Sequence, residues 1–112
     1  MNAKQKAALF ADLKSAGRMD ERELYVFNNA KLLPGGGFGM CIVSIAGQSL
    51  YITDTDMSGV VGPLIAAVPF AQMEQRKSST FPFNPYLKFI WQGTPIHLGG
   101  VTKPMLEAIE KG

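Results

Sequence analysis

Apolar and polar residues alternate in short runs along the middle of this chain, and a helical spacing replaces the alternation at each end. Residues 3–16 are rich in Ala, Lys, Gln and Leu, which favour helix. Leu9, Phe10 and Leu13 fall on one face there, with Lys4, Lys6, Asp12 and Lys14 largely elsewhere. Gly17 follows as a stop signal. From Glu23 the period shortens, and Leu24, Tyr25, Val26 and Phe27 read as strand. Lys31, Leu32 and Leu33 continue or bulge it. Residues 34–39, dominated by Pro and Gly, predict a loop. Residues 40–45 predict a second strand, and 46–49 a hairpin turn into a third at 50–53. Residues 54–62 are turn-rich, and 64–74 predict one further strand running on toward Gln75 and Arg76. Residues 78–85 predict a loop carrying Phe81 and Phe83. Leu87, Phe89 and Trp91 then alternate with Lys88 and Ile90, and the turn at 92–94 leads into Ile96, His97 and Leu98. Pro104 suits the first turn of a closing helix, with Met105, Leu106 and Ile109 as its apolar stripe.

The order is a helix, about six short strands and a helix, and short turns between neighbours predict antiparallel pairing. The expected class is mainly β (α+β): a bent antiparallel sheet or partly open barrel, capped by the C-terminal helix and preceded by an extra N-terminal one. Such a cap buries Trp91 and Leu106. Residues 1–19 read as a helical extension and 20–112 as the domain proper; the extension packs across the open end of the barrel or docks on a neighbouring subunit.

A chain of 112 residues is one ordinary domain, and 46% hydrophobic residues suffice for a core. No apolar run approaches the roughly 20 residues of a membrane-spanning helix. The start of the chain reads as no signal peptide. One cysteine, Cys41, makes no internal disulfide and fits a reducing cytoplasm. The net charge of +2 exerts no strong pull on nucleic acid or anionic membrane. Charge distribution says more: between Leu32 and Met73 the only charged residues are Asp54 and Asp56. A stretch so poor in charge belongs in a core or against another subunit, which favours self-association.

The order of these runs resembles the pleckstrin-homology-like superfamily, most closely its GRAM and bacterial PH-like branches. Leu50-Tyr51-Ile52-Thr53-Asp54 looks like the strand those domains write as hydrophobic-Tyr-Leu-Thr-Asn. Val68-Pro69-Phe70-Ala71-Gln72-Met73 looks like their Ile-Pro-Leu/Tyr-x-x-Ile strand. The hairpin around Leu87-Lys88-Phe89 and Ile96-His97-Leu98, and the helix from Met105, follow in the same order. The resemblance covers residues 20–112 and implies a PH-like binding or assembly scaffold, not an enzyme, and without a cofactor. PH domains often bind phosphoinositides through basic residues flanking the first hairpin loop. Here residues 34–39 hold no Lys or Arg and Lys31 stands alone, which argues against that ligand. Bacterial PH-like domains often assemble into rings, in accord with the charge-poor middle.

Several residues invite chemistry. Gly35-Gly36-Gly37-Phe38-Gly39 lacks the Gly-Lys-Ser/Thr of a P-loop and the spacing of a dinucleotide fingerprint, and reads as a hairpin loop with Phe38 as an apolar tip for a membrane or partner. Asp54-Thr55-Asp56 has the form of a carboxylate pair for a hard cation. The chain is too short for the nucleotide-sugar domain in which such a pair serves glycosyl transfer, no Glu follows at EF-hand distance, and a solvated turn is the expectation. His97, the only histidine, reads as outward-facing on its strand, and no metal site is expected from one His and one Cys. Cys41 reads as a small buried hydrophobe. Arg76, Lys77 and Lys88 with Phe81, Phe83, Tyr86 and Trp91 mix basic and aromatic side chains as nucleic-acid modules do, but the basic cluster is too short for that role. The binding residues expected are Phe38, Arg76, Lys77, Phe81 and Phe83. The leading expectation is a cytoplasmic, non-enzymatic module acting through a homo-oligomer or a protein partner. One alternative is a membrane surface reached by Phe38 with Lys31 or Arg76 and Lys77. Another is a small metal-dependent enzyme or accessory protein using Asp54, Asp56 and His97.

Overall fold

Helix α1 (Ala3–Ser15) begins at a capping box: the Asn2 side chain accepts from the Gln5 N–H, and the Gln5 side chain accepts from the Asn2 N–H. It ends in a Schellman turn. Gly17 sits in the left-handed region at φ +74°, its N–H bonds the Lys14 carbonyl, and the Arg18 N–H bonds the Leu13 carbonyl. The computed structural model describes residues 2–29, 40–55, 60–80 and 85–112.

Four antiparallel strands follow, β1 (Tyr25–Asn29), β2 (Met40–Ala46), β3 (Ser49–Thr55) and β4 (Leu64–Pro69), and they lie side by side in chain order. In β2 all residues from Cys41 to Ile45 are buried, because both faces of the sheet are covered. Cys41, Val43 and Ile45 join Leu50, Ile52, Ala66 and Val68 in the main core. Ile42 points the other way and packs with Leu9, Leu13 and Met19. The N-terminal helix therefore docks on the outer face of its own four-stranded sheet. Two polar residues are buried there and both are satisfied: the Ser44 hydroxyl donates to the Arg18 carbonyl at 2.6 Å, and Thr53 Oγ1 accepts from the Arg18 guanidinium at 3.3 Å. Gly62 is required for space, since a Cβ there lies 2.7 Å from the Asp54 carbonyl oxygen.

The single strand expected over 64–74 is two elements. Pro69 ends β4, Phe70–Gln72 form a 3-10 turn, and β5 (Glu74–Ser79) starts a second sheet with β6 (Tyr86–Trp91) and β7 (Thr94–Gly99). Pro69 has no N–H to continue a ladder, and Phe70 is pulled inward to a buried site while its N–H bonds the Gln48 carbonyl. The described residues thus hold seven strands. Strand β5 also extends into the stretch read as loop from residue 78, and β3 claims Asp54 and Thr55 from the expected turn. Between β6 and β7 the turn is Gln92-Gly93, with both φ angles positive (51° and 77°), the geometry of a type I′ hairpin.

Helix α2 (Lys103–Lys111) is capped by Thr102, whose hydroxyl accepts from the Met105 N–H, and carries Pro104 in its first turn. Met105, Leu106 and Ile109 close the main core against Leu87, Phe89, Ile96 and Leu98. Trp91 is half-buried at the rim, not enclosed as expected, and its Nε1–H donates to the Gln72 side chain at 3.2 Å. The class is mainly β with a helix at each end, and the two antiparallel sheets are not closed into a barrel.

Candidate functional site

Alternation in the three-stranded sheet sends Leu87 and Phe89 of β6, with Ile96 and Leu98 of β7, into the core. The intervening residues form the outer face. Lys77 of β5 lies directly opposite Lys88 of β6, and Lys88 directly opposite His97 of β7. One row across the strands therefore carries two ammonium groups and an imidazole, all exposed. Like charges placed opposite each other on a sheet face repel. Among the described residues no carboxylate forms an ion pair with either lysine; Glu74, on the same strand as Lys77, does not. The Lys88 ammonium instead lies 5.1 Å over the Tyr86 ring, which meets the His97 ring edge-on at 5.9 Å. Beside the row is a shallow depression of about 280 Å³, lined by Gln75, Lys77, Lys88, Ile90, Pro95 and His97 among others. Gln75 holds a left-handed backbone at φ 51° where β5 bulges between Glu74 and Lys77.

Arg76 and Lys77 were expected to act together, and the strand separates them. Neighbouring residues on a strand point to opposite faces. Arg76 turns toward α2, and its guanidinium donates to the Ile109 carbonyl at 3.4 Å, near the negative end of the helix dipole. The expected binding residues Phe38, Phe81 and Phe83 lie outside the described residues, as do Lys31 and Asp56.

A second cleft, of about 470 Å³, runs between the β2–β3 turn and α2, with Arg22, Gln48, Glu107 and Lys111 on its walls. Its arginine is already committed. Arg22 donates to both oxygens of Asp20 and, at 2.7 Å, to the Gly47 carbonyl. Asp20 also accepts the Gly47 N–H at 2.8 Å. The Arg22 guanidinium, with that backbone N–H, holds the Asp20 carboxyl down at about 2 against the opposing effect of partial burial. This pair clamps the hairpin turn.

Remaining reactive groups are dispersed. Cys41 is buried in the main core, and burial, with Asp54 opposite it on β3, pushes its thiol up to about 11. His97 is on the outer face of the other sheet, facing outward as expected. Among the described residues no three His, Cys, Asp or Glu side chains gather as a metal site. No described helix is long and apolar enough to cross a membrane.

Among the described residues, the large apolar side chains that remain exposed gather at one end of the four-stranded sheet. Val60 is 60% exposed, Leu64 43%, Ile65 39% and Met40 36%. Leu64 lies opposite Thr53, and Met40 opposite Thr55, so they share the distal end of the ladder. Strand β4 is the sheet's edge among the described residues and carries no charge.

Comparison with protein-family models, curated proteins and solved structures finds no match to this chain.

The alternation at 87–91 and 96–98 already put Lys88 and His97 on one outer face. The sequence reading missed their apposition to Lys77, because that depends on the bulge in β5, which no local signal marks.

Proposed function

We propose that this protein is a non-enzymatic, PH-like module that works by assembling with copies of itself. The observation that carries this reading is the uncharged edge strand β4, with Leu64 and Ile65 exposed beside Val60 and Met40. Of the devices that guard natural edge strands, β4 has a bulge opposite Ile52 and Thr53 and a terminal Pro69, but no charge. Two copies meeting there bring no like charges together, and a two-fold contact uses the same patch twice. The arrangement of strands supports the PH-like part: four antiparallel strands, then three, then a helix packed into the core. The dispersal of Cys41 and His97 to different faces favours a scaffold over a catalyst. The membrane alternative, which drew on Phe38 with Lys31 or with Arg76 and Lys77, loses the support of Arg76, which is turned toward α2.

Light scattering after size exclusion tests the reading. A discrete oligomer that Leu64→Asp with Ile65→Lys converts to a folded monomer is the expected result. A monomeric wild-type protein at high micromolar concentration overturns it.

A further inference from the structure

The outer faces of the two sheets are treated differently by the rest of the chain. Helix α1 covers the four-stranded sheet. Among the described residues the three-stranded sheet has no such cover over Lys77, Lys88 and His97, which are all exposed. Lys77 and Lys88 stand directly opposite each other, and among the described residues neither forms an ion pair, although Glu74, opposite Ile90, shares their face; like charges so placed repel. A partner that brings negative charge to this face relieves that repulsion.

We propose that this face docks an acidic, extended peptide segment of a partner protein. Its carboxylates pair with Lys77 and Lys88, and a neighbouring apolar side chain rests on Ile90 and Pro95 at the floor of the 280 Å³ depression. Two strand spacings separate the Lys77 and His97 positions, about 10 Å, which matches about four extended residues. The depression holds one or two side chains and not a row of nucleotides. Nucleic acid needs a longer basic track than this face offers, since Arg76 points away and the net charge is only +2. A membrane needs apolar groups to insert, and among the described residues the large exposed ones lie on the other sheet. The inference does not depend on assembly through β4.

Fluorescence polarisation tests it, using a fluorescein-labelled peptide of alternating Asp and Leu and a counterpart with Asn for Asp. The acidic peptide binds, the Asn peptide does not, and Lys77→Gln with Lys88→Gln weakens binding roughly tenfold. Lys4→Gln with Lys103→Gln removes the same charge elsewhere and leaves binding unchanged. Lys77→Gln alone, in the free protein at low salt, raises Tm by a few degrees, and high salt abolishes the gain. Light scattering on the double variant shows the wild-type mass, which separates this site from the assembly surface. The proposal is overturned by equal binding of the Asn peptide, by equal loss in the control variant, or by no binding at all. It is also overturned if single-stranded oligonucleotide or phosphatidylserine vesicles bind more tightly with the same lysine dependence, or if Lys77→Gln lowers Tm.

Discussion

The outer face of the four-stranded sheet and that of the three-stranded sheet begin from the same rule and end differently. Each strand pair sends alternate residues away from the main core. On the first sheet those residues include Ile42, Tyr25 and Phe27, which meet Leu9, Leu13 and Phe10 of α1. Phe10 and Tyr25 pack edge to face at 5.0 Å. On the second sheet the outward residues include Glu74, Lys77, Lys88, His97, Ile90 and Pro95, and among the described residues no helix covers the lysines. One face became a second small core and the other a charged, open surface. Sheet geometry permits both; the side chains at the outward positions decide between them.

The largest expected contrast comes from truncating the same kind of contact on each face. Leu13 is fully buried between α1 and the sheet. Leu13→Ala lowers unfolding free energy by about 2–4 kcal/mol in urea titration. Ile90→Ala, on the half-buried open face, costs about 1 kcal/mol or less. Equal losses would mean that α1 contributes no more to the fold than an uncovered face does.

A smaller contrast lies within β5, between adjacent residues. Arg76 donates to the last turn of α2, so Arg76→Ala lowers stability by about 0.5–1 kcal/mol. Lys77→Gln acts in the opposite direction. Thermal melts of the two variants in one low-salt buffer measure the sign of each, and a shared sign breaks the assignment of the two side chains to opposite faces.

The smallest effect is on pH. Asp20 is clamped by Arg22 and its pKa is depressed to about 2 in the folded chain. A depressed carboxyl stabilises the fold above its unfolded pKa and loses that contribution as pH falls through the folded value. The window therefore runs from about pH 4 down to 2. Because the pair is partly exposed, its worth is under about 1 kcal/mol. Asp20→Asn removes this part of the acid limb in a pH series of melts, and an unchanged acid limb counts against the clamp.

Much of the architecture was legible from local pattern. The apolar face of α1 with Leu9 and Leu13, the stop at Gly17, the alternation from Leu87 to Leu98 and the stripe Met105, Leu106 and Ile109 all correspond to observed elements. The break after Pro69 was not. Residues 64–74 read as one apolar strand because periodicity does not register a change of sheet. The turn forms because Phe70 is buried by residues far along the chain. Trp91 misled for a related reason: its large apolar ring suits a core, but its N–H needs a partner, and Gln72 supplies one at the rim. Of the residues proposed for binding, Lys77 stands on an open face and Arg76 serves α2. A basic pair adjacent in sequence is divided by the strand's period of two.

The sequence by itself determined the two helices, most of the strands, the antiparallel hairpins and the presence of a long charge-poor middle. These depend on neighbours within a few residues, where backbone preference and side-chain spacing act directly. Only the tertiary structure decided that the strands divide into two sheets and that α1 covers one of them. It also placed Lys77 against Lys88 and His97, and left Leu64 and Ile65 at an exposed edge. Those facts depend on register and on which surfaces compete for burial, and both are set by contacts between residues distant in the chain.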